Sequence, residues 1–337
     1  MTRPLASLSL DLDNLWSYMK IHGDAGWEAF PSYLDLVVPR ILGVLEAHSL
    51  RITVFVVGQD AALSRNHNAL RMIADAGHEI GNHSFHHEPW LHLYSPAEVA
   101  AEIDRADNAI EDATGRRPHG FRGPGYSLSQ TVLETLKARD YAYDCSTFPT
   151  FIGPAARAYY FLKSGFDRSE KSKRSNLFGS MRDGLRPLKP YQWALDTGSL
   201  LEVPVTTMPV LRSPFHFSYA HWLASFSEPL SQGYFNVALR ACDISGIAPS
   251  LLLHPLDFLG CDDVSELAFF PGMDQTGARK MTRMTRLLEA VSARYDVLAM
   301  EDFAATVITG AVPVHRPNFD HLKTDAAGAM PMEAGGQ

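Results

Sequence analysis

From residue 5 to about residue 310, apolar runs of strand length alternate with segments of helical period, and that alternation admits few folds. Strands separated by helices pair in parallel, because the crossover returns the chain to the same end of the sheet. The expected strands are Leu5–Leu12, Ile52–Val57, His78–Asn82, His119–Arg122, Tyr141–Cys145, Leu200–Val205, Ser250–His254 and Asp296–Ala299. Seven or eight such units suggest an α/β chain curled into a parallel (β/α)7-8 barrel. Between the first two strands, Leu36, Val37, Ile41, Leu42 and Leu45 recur at the spacing of one helix face. A second helix is punctuated more sharply. Ser95 can cap it, Pro96 suits its first turn, Glu98 completes a capping box and Gly115 offers a left-handed stop, so it should run over 96–114.

Two stretches lack this order. Residues 153–193 show no clean period and read as a basic loop inserted into a barrel of residues 1–312, while 313–337 read as a flexible tail. From Arg157 to Lys189 nine basic residues face three acidic ones, an excess of six inside a chain of net charge −8. That segment can lie on an anionic membrane, hold the phosphates of a lipid- or nucleotide-linked carrier, or simply be a solvated loop. The acidic remainder argues against nucleic-acid binding, which needs a cationic surface. Three scattered cysteines make neither a disulfide framework nor a zinc ribbon, and acidic residues interrupt the N-terminal apolar run. The expectation is a cytoplasmic protein without a cleaved signal, peripheral at the inner face of a membrane if the basic segment binds there. The oligomeric state is not legible.

Polar residues gather at the strand ends, and in a parallel barrel those ends share the face where such folds build active sites. Asp11 and Asp13 close the first strand, with Leu12 between them, so both carboxylates can face one mouth. His83 and His87 follow the third strand, Arg122 ends the fourth, Asp144 the fifth, and His254 the seventh. Two histidines four apart and a carboxylate can hold a divalent ion, although His78, His83, His86 and His87 can equally be an incidental surface cluster.

At these residues the sequence resembles the polysaccharide deacetylase family with the NodB-homology domain, also called carbohydrate esterase family 4. The resemblance rests on Asp11-Leu-Asp13, His83-Ser-Phe-His-His87, Arg122-Gly-Pro124-Gly and Leu252-Leu-His254, in that order, and spans residues 5 to 305. It implies a distorted (β/α) barrel that hydrolyses the N-acetyl group of an amino sugar in a glycan or its precursor. It further implies Asp13, His83 and His87 as metal ligands, with Asp11 as base, His254 as acid, and Arg122 holding Asp11 in place. Zinc is the expected ion, and cobalt, nickel or iron(II) fit the same ligands. Tyr126 is expected to contact substrate through its backbone N–H, and Trp16 and Trp90, near the metal motifs, to stack on a sugar. Two departures qualify the match: Leu12 separates aspartates that many members have adjacent, and the motif that supplies a partner for His254 is reduced to Asp144-Cys-Ser, with Asp144 also expected at the substrate. Asp257, three residues after His254, can orient that ring or merely cap the next segment.

Other readings compete. A deformylase of a lipid- or nucleotide-linked amino sugar would use the same groups. Two histidines and a carboxylate also form the facial triad of non-haem iron(II) oxygenases, though on scaffolds unlike this alternation. An inactive glycan-binding module would be expected to have lost its base or acid, and both are present.

Overall fold

The computed structural model describes residues 3–152 and 182–319. The order along its sheet is β10-β6-β7-β5-β4-β3-β2-β1-β8, with β9 also on β1. These strands are Leu5–Asp11 (β1), Thr53–Val56 (β2), Glu79–Asn82 (β3), Gly120–Phe121 (β4), Tyr143–Asp144 (β5), Tyr191–Leu195 (β6), Gly198–Glu202 (β7), Ser250–Leu253 (β8), Asp296–Leu298 (β9) and Val314–His315 (β10). The β6–β7 pair is antiparallel and the other pairs are parallel.

Seven of these strands, β1 to β5 with β7 and β8, curl into an incomplete barrel. The ladder breaks between β7 and β8, where Thr206 and Ser250 exchange two hydrogen bonds, from Thr206 N to the Ser250 carbonyl (3.0 Å) and from Ser250 N to Thr206 Oγ1 (2.8 Å). Pro204 and Pro249 flank that contact, and neither has an N–H to extend a ladder. The barrel is therefore stitched rather than closed.

Alternation along β1 decides what its interior is like. Ala6, Leu8 and Leu10 point outward into the main apolar cluster with Leu34, Val37 and Ile41. Ser7, Ser9 and Asp11 have the opposite parity, and all three are buried. A polar, buried lining results at the carboxyl end of β1, and it needs a partner for Asp11.

The helix Pro96–Thr114 has the boundaries and capping box read from the sequence, and Gly115 closes it at φ 70°. Three expectations change. Leu36 is 43% exposed, because the helix Leu34–Ala47 turns Leu34, Val37, Val38, Ile41 and Leu45 inward instead. The end of the presumed loop is a strand, since Tyr191 and Trp193 bury alternately and pair with β7 through a tight turn. The start of the presumed tail also docks: Val314–His315 pairs with β6, and Phe319 packs beside Trp193. Residues 153–181 and 320–337, with most of the basic segment, lie outside the described residues. Among the described residues no helix is long and apolar enough to cross a membrane.

Candidate active site

Asp13 lies just past β1, and the turn after β3 brings two imidazoles to it. Asp13 Oδ1 is 2.9 Å from His87 Nε2 and 3.4 Å from His83 Nε2. The three residues are buried, and each offers a ligand atom within 4.8 Å of the others. Asp13 Oδ1 nevertheless meets no hydrogen-bond geometry, so acceptor atoms converge here without pairing. His83 Nδ1 sits 2.6 Å from the Arg122 carbonyl, which fixes the proton on that nitrogen and turns the Nε2 lone pair toward Asp13. This donor set fits a divalent ion of the zinc class. Burial alone would raise the Asp13 carboxyl, but the neighbouring His87 and His83 outweigh it and hold the group well below its ordinary value. Burial opposes a charge on His83 too, yet Asp11 and Asp13 together raise it.

The turn that delivers these histidines is strained. Ser84 and His87 both have left-handed backbone, at φ 60° and 55°. Asn82 Oδ1 accepts the Ser84 N–H at 2.7 Å, and Glu102, which no motif marked, accepts the N–H groups of Phe85 (3.0 Å) and His86 (2.6 Å). Glu102 also holds the His86 ring at 2.7 Å, so His86 turns away from the ligand set. His78 does likewise, taking the Ile52 N–H on its ring.

Asp11 finds its partner in Arg122, whose Nη1 donates to Asp11 Oδ1 (2.7 Å) and to Ser9 Oγ (2.9 Å) while Nε donates to the Cys145 carbonyl (3.1 Å). The guanidinium is fully buried with Phe55 against its face at 4.5 Å. Burial disfavours its charge, and Asp11 more than restores it. On the other side of β1, the register Leu10↔Leu253 places His254, the next residue of β8, beside Asp11.

Four residues expected at the substrate are placed as follows. Tyr126 N donates to the Gly123 carbonyl at 2.9 Å, so that N–H is spent within its own turn; what Tyr126 presents is a ring stacked on Phe148 at 4.7 Å. Trp16 is buried with Nε1 on Asp60 (3.0 Å) and its ring edge-on to His87, a wall behind a ligand and not a stacking platform. Trp90 is half-buried beside the turn Leu91–Leu93. Asp144 is wholly buried under the loop: it accepts from Ser146 Oγ at 2.5 Å, and Ser146 Oγ accepts the Gly123 N–H at 2.7 Å. It supports the segment that carries Arg122.

Two residues of the mouth escaped the sequence reading. His216 is buried, its ring 5.9 Å from that of His254, and burial with the nearby His254 and Arg122 depresses it well below an ordinary histidine. Ser218 bonds to Asp257 at 2.8 Å and to His254 at 3.3 Å. Neither lies in a motif; both precede or open the helix Phe217–Phe226, where only the sense of an apolar run was visible.

The chain is similar to several known proteins. Residues 24–143 match the family described as polysaccharide deacetylase, a span that includes His83, His87 and Arg122. The peptidoglycan deacetylase of Helicobacter pylori is 23% identical over 273 residues, covering 74% of this chain and 87% of that protein. The peptidoglycan-N-acetylmuramic acid deacetylase of Bacillus subtilis is 32% identical over 110 residues, covering 32% of this chain and 41% of that protein. A Mycobacterium smegmatis protein solved as a candidate polysaccharide deacetylase has the same fold, with a TM-score of 0.60 at 21% identity, covering 94% of this chain and 96% of the other.

Proposed function

Starting from a chain that belongs to the polysaccharide deacetylase family, we propose that it hydrolyses the N-acetyl group of an amino sugar with the help of one divalent ion. The observation that carries this reading is the convergence of Asp13, His83 and His87 near the end of β1, where Arg122 holds the Asp11 carboxylate that would act as base. Such an ion supplies charge to polarise the acyl oxygen and to acidify water. Zinc is the ion proposed, on the strength of two neutral imidazoles and one carboxylate.

The chain's own residues divide the remaining work. Asp11 takes the proton of the attacking water, with Arg122 and Ser9 fixing its orientation. His254 returns a proton to the amine as the C–N bond breaks. The side chains of Asp11, Arg122 and Ser9 are buried, which strengthens each of these electrostatic contacts.

We read the substrate as a phosphate-linked precursor in the cytoplasm, held by the basic run that includes Lys171, Lys173 and Arg174 at or near the inner membrane face. The support is the excess charge of that run in an acidic chain. Replacing those three residues with Ser should raise KM for a phosphate-linked substrate at low salt, an effect that fades as salt screens it, and leave an uncharged N-acetyl sugar unaffected.

The deciding assay measures acetate released by the zinc- or cobalt-loaded protein from a chitooligosaccharide and from a UDP-linked N-acetyl sugar, under anaerobic conditions. Turnover of either supports hydrolysis. Oxygen-dependent turnover with iron alone would replace it with the oxygenase reading, and formate release from the N-formyl analogue in preference to acetate would replace the acyl group.

A further inference from the structure

His254 has a support that combines Asp257 with a residue outside every motif, Ser218. Its ring Nδ1 lies 3.3 Å from Ser218 Oγ, and the same hydroxyl lies 2.8 Å from Asp257 Oδ1. The second carboxylate oxygen of Asp257 accepts the His254 backbone N–H at 2.8 Å. Asp257 is almost wholly buried, and the side chains facing it are His254, Ser218, Lys280 and His221, whose Nε2 is 4.0 Å from Oδ1. Arg283 holds the other nitrogen of His221 at 2.7 Å, so that imidazole is an acceptor there. Burial raises the Asp257 carboxyl above its ordinary value, and His254, the His254 backbone N–H and Lys280, which is anchored on the Leu256 carbonyl at 2.5 Å, work against that rise and favour the carboxylate.

Counting protons gives the direction of the chain. A hydroxyl has one proton to donate and lone pairs to accept with, and an ionised carboxylate only accepts. The Ser218 proton therefore goes to Asp257, and the Ser218 oxygen faces Nδ1 with a lone pair. Nδ1 must then carry the hydrogen of the neutral ring.

We propose that Ser218 and Asp257 are a positioning pair that holds His254 in its Nδ1–H tautomer, leaving Nε2 as the nitrogen that exchanges protons with substrate. Of the two readings open for Asp257 in the sequence, the pair takes the ring-orienting one and adds Ser218 to it, while Asp144, in the reduced motif, lies under the Arg122 loop. Within the amide-hydrolysis reading, on which its catalytic meaning rests, the protonated ring gives its Nε2 proton to the departing nitrogen as the C–N bond breaks. The neutral Nδ1–H form remains, already paired to Ser218. A carboxylate behind the hydroxyl stabilises the imidazolium before transfer. The other ring of the mouth, His216, and Tyr219 face His254 or its neighbour from the same helix and its lead-in, and neither is hydrogen-bonded to Nδ1.

The test uses the full-length metal-loaded protein with 15N-labelled histidine, the His254 resonances being those lost in His254→Gln. Long-range 1H–15N spectra should show the neutral ring of His254 as the Nδ1–H tautomer. Ser218→Ala should lose that preference and Ser218→Thr should keep it. In turnover, Ser218→Ala should lower kcat by about tenfold or more with little change in KM, and move the alkaline limb of the kcat profile to lower pH, while Ser218→Thr restores both. An Nε2–H tautomer in the wild type, or a Ser218→Ala protein with the wild-type tautomer and limb, would overturn the proposal. A wild type that turns nothing over but shows the Ser218-dependent tautomer would instead overturn amide hydrolysis and leave the pair supported.

Discussion

Arg122 is the residue on which the site leans most, because it is a permanent charge wholly buried in the barrel. Its two bonds to Asp11 and Ser9 and one to Cys145 use the guanidinium as a fork, which a lysine cannot copy. Arg122→Lys should therefore fold yet lose about 10- to 100-fold in kcat. Arg122→Met, which strands Asp11 in the barrel, should cost about 3–5 kcal/mol in urea denaturation. At the ligand set the expected signature is different. Alanine at His83 or His87 should abolish stoichiometric metal by plasma emission while circular dichroism stays native; full metal content in either variant would remove that residue from the set. Asp11→Asn should keep the metal and lose about a hundredfold or more in turnover, the scale of general-base help. If Asp11→Asn loses the metal instead, its role exchanges with that of Asp13.

At the scale of elements, two very short strands bear a disproportionate load. β4 and β5 have two residues each, and between them Tyr143 fills the space that a side chain on Gly120 would take: a Cβ there would come within 2.1 Å of the Tyr143 ring. The Tyr143 hydroxyl is itself fixed on Glu79 of β3 at 2.5 Å, so the ring cannot give way. Gly120→Ala should destabilise the fold by about 1–3 kcal/mol, the usual cost of overpacking, and should lower activity beyond that, because Arg122 is two residues on. Unchanged thermal unfolding would show that the ring moves. Helix Pro96–Thr114 was legible in advance because its punctuation is local: a cap, a proline and a glycine act on their own neighbours. The β6–β7 hairpin was not, since its pairing partner and the docking of β10 depend on residues far away in sequence.

Across the whole molecule, buried carboxyls make stability depend on pH. Glu202 on β7 and Asp144 on β5 meet side by side; burial, and then the nearness of Asp144, raise Glu202 well above the ordinary carboxyl range. Burial thus favours the protonated form of Glu202, while Thr147 and Trp193 donate to it at 2.6 and 3.0 Å. A raised folded value means that this contribution is full below the unfolded glutamate value of about 4.3 and is lost as pH rises through the folded one. Urea midpoints should accordingly fall from pH 5 to pH 9, and Glu202→Gln should flatten the slope; an unaltered slope would remove the pair as its source. The sequence alone determined the alternating α/β order, the chain position of every strand-end group from Asp11 to His254, and the caps, because periodicity, capping and strand-end polarity are properties of neighbouring residues. Only the tertiary structure decided which of those groups meet. It put Asp13 against His83 and His87, turned His86 to Glu102, spent the Tyr126 N–H within its own turn, buried Asp144 with Glu202 and gave His254 to Ser218 and Asp257. Those choices depend on barrel curvature and on hydrogen bonds between residues tens to hundreds of positions apart, which no local pattern encodes.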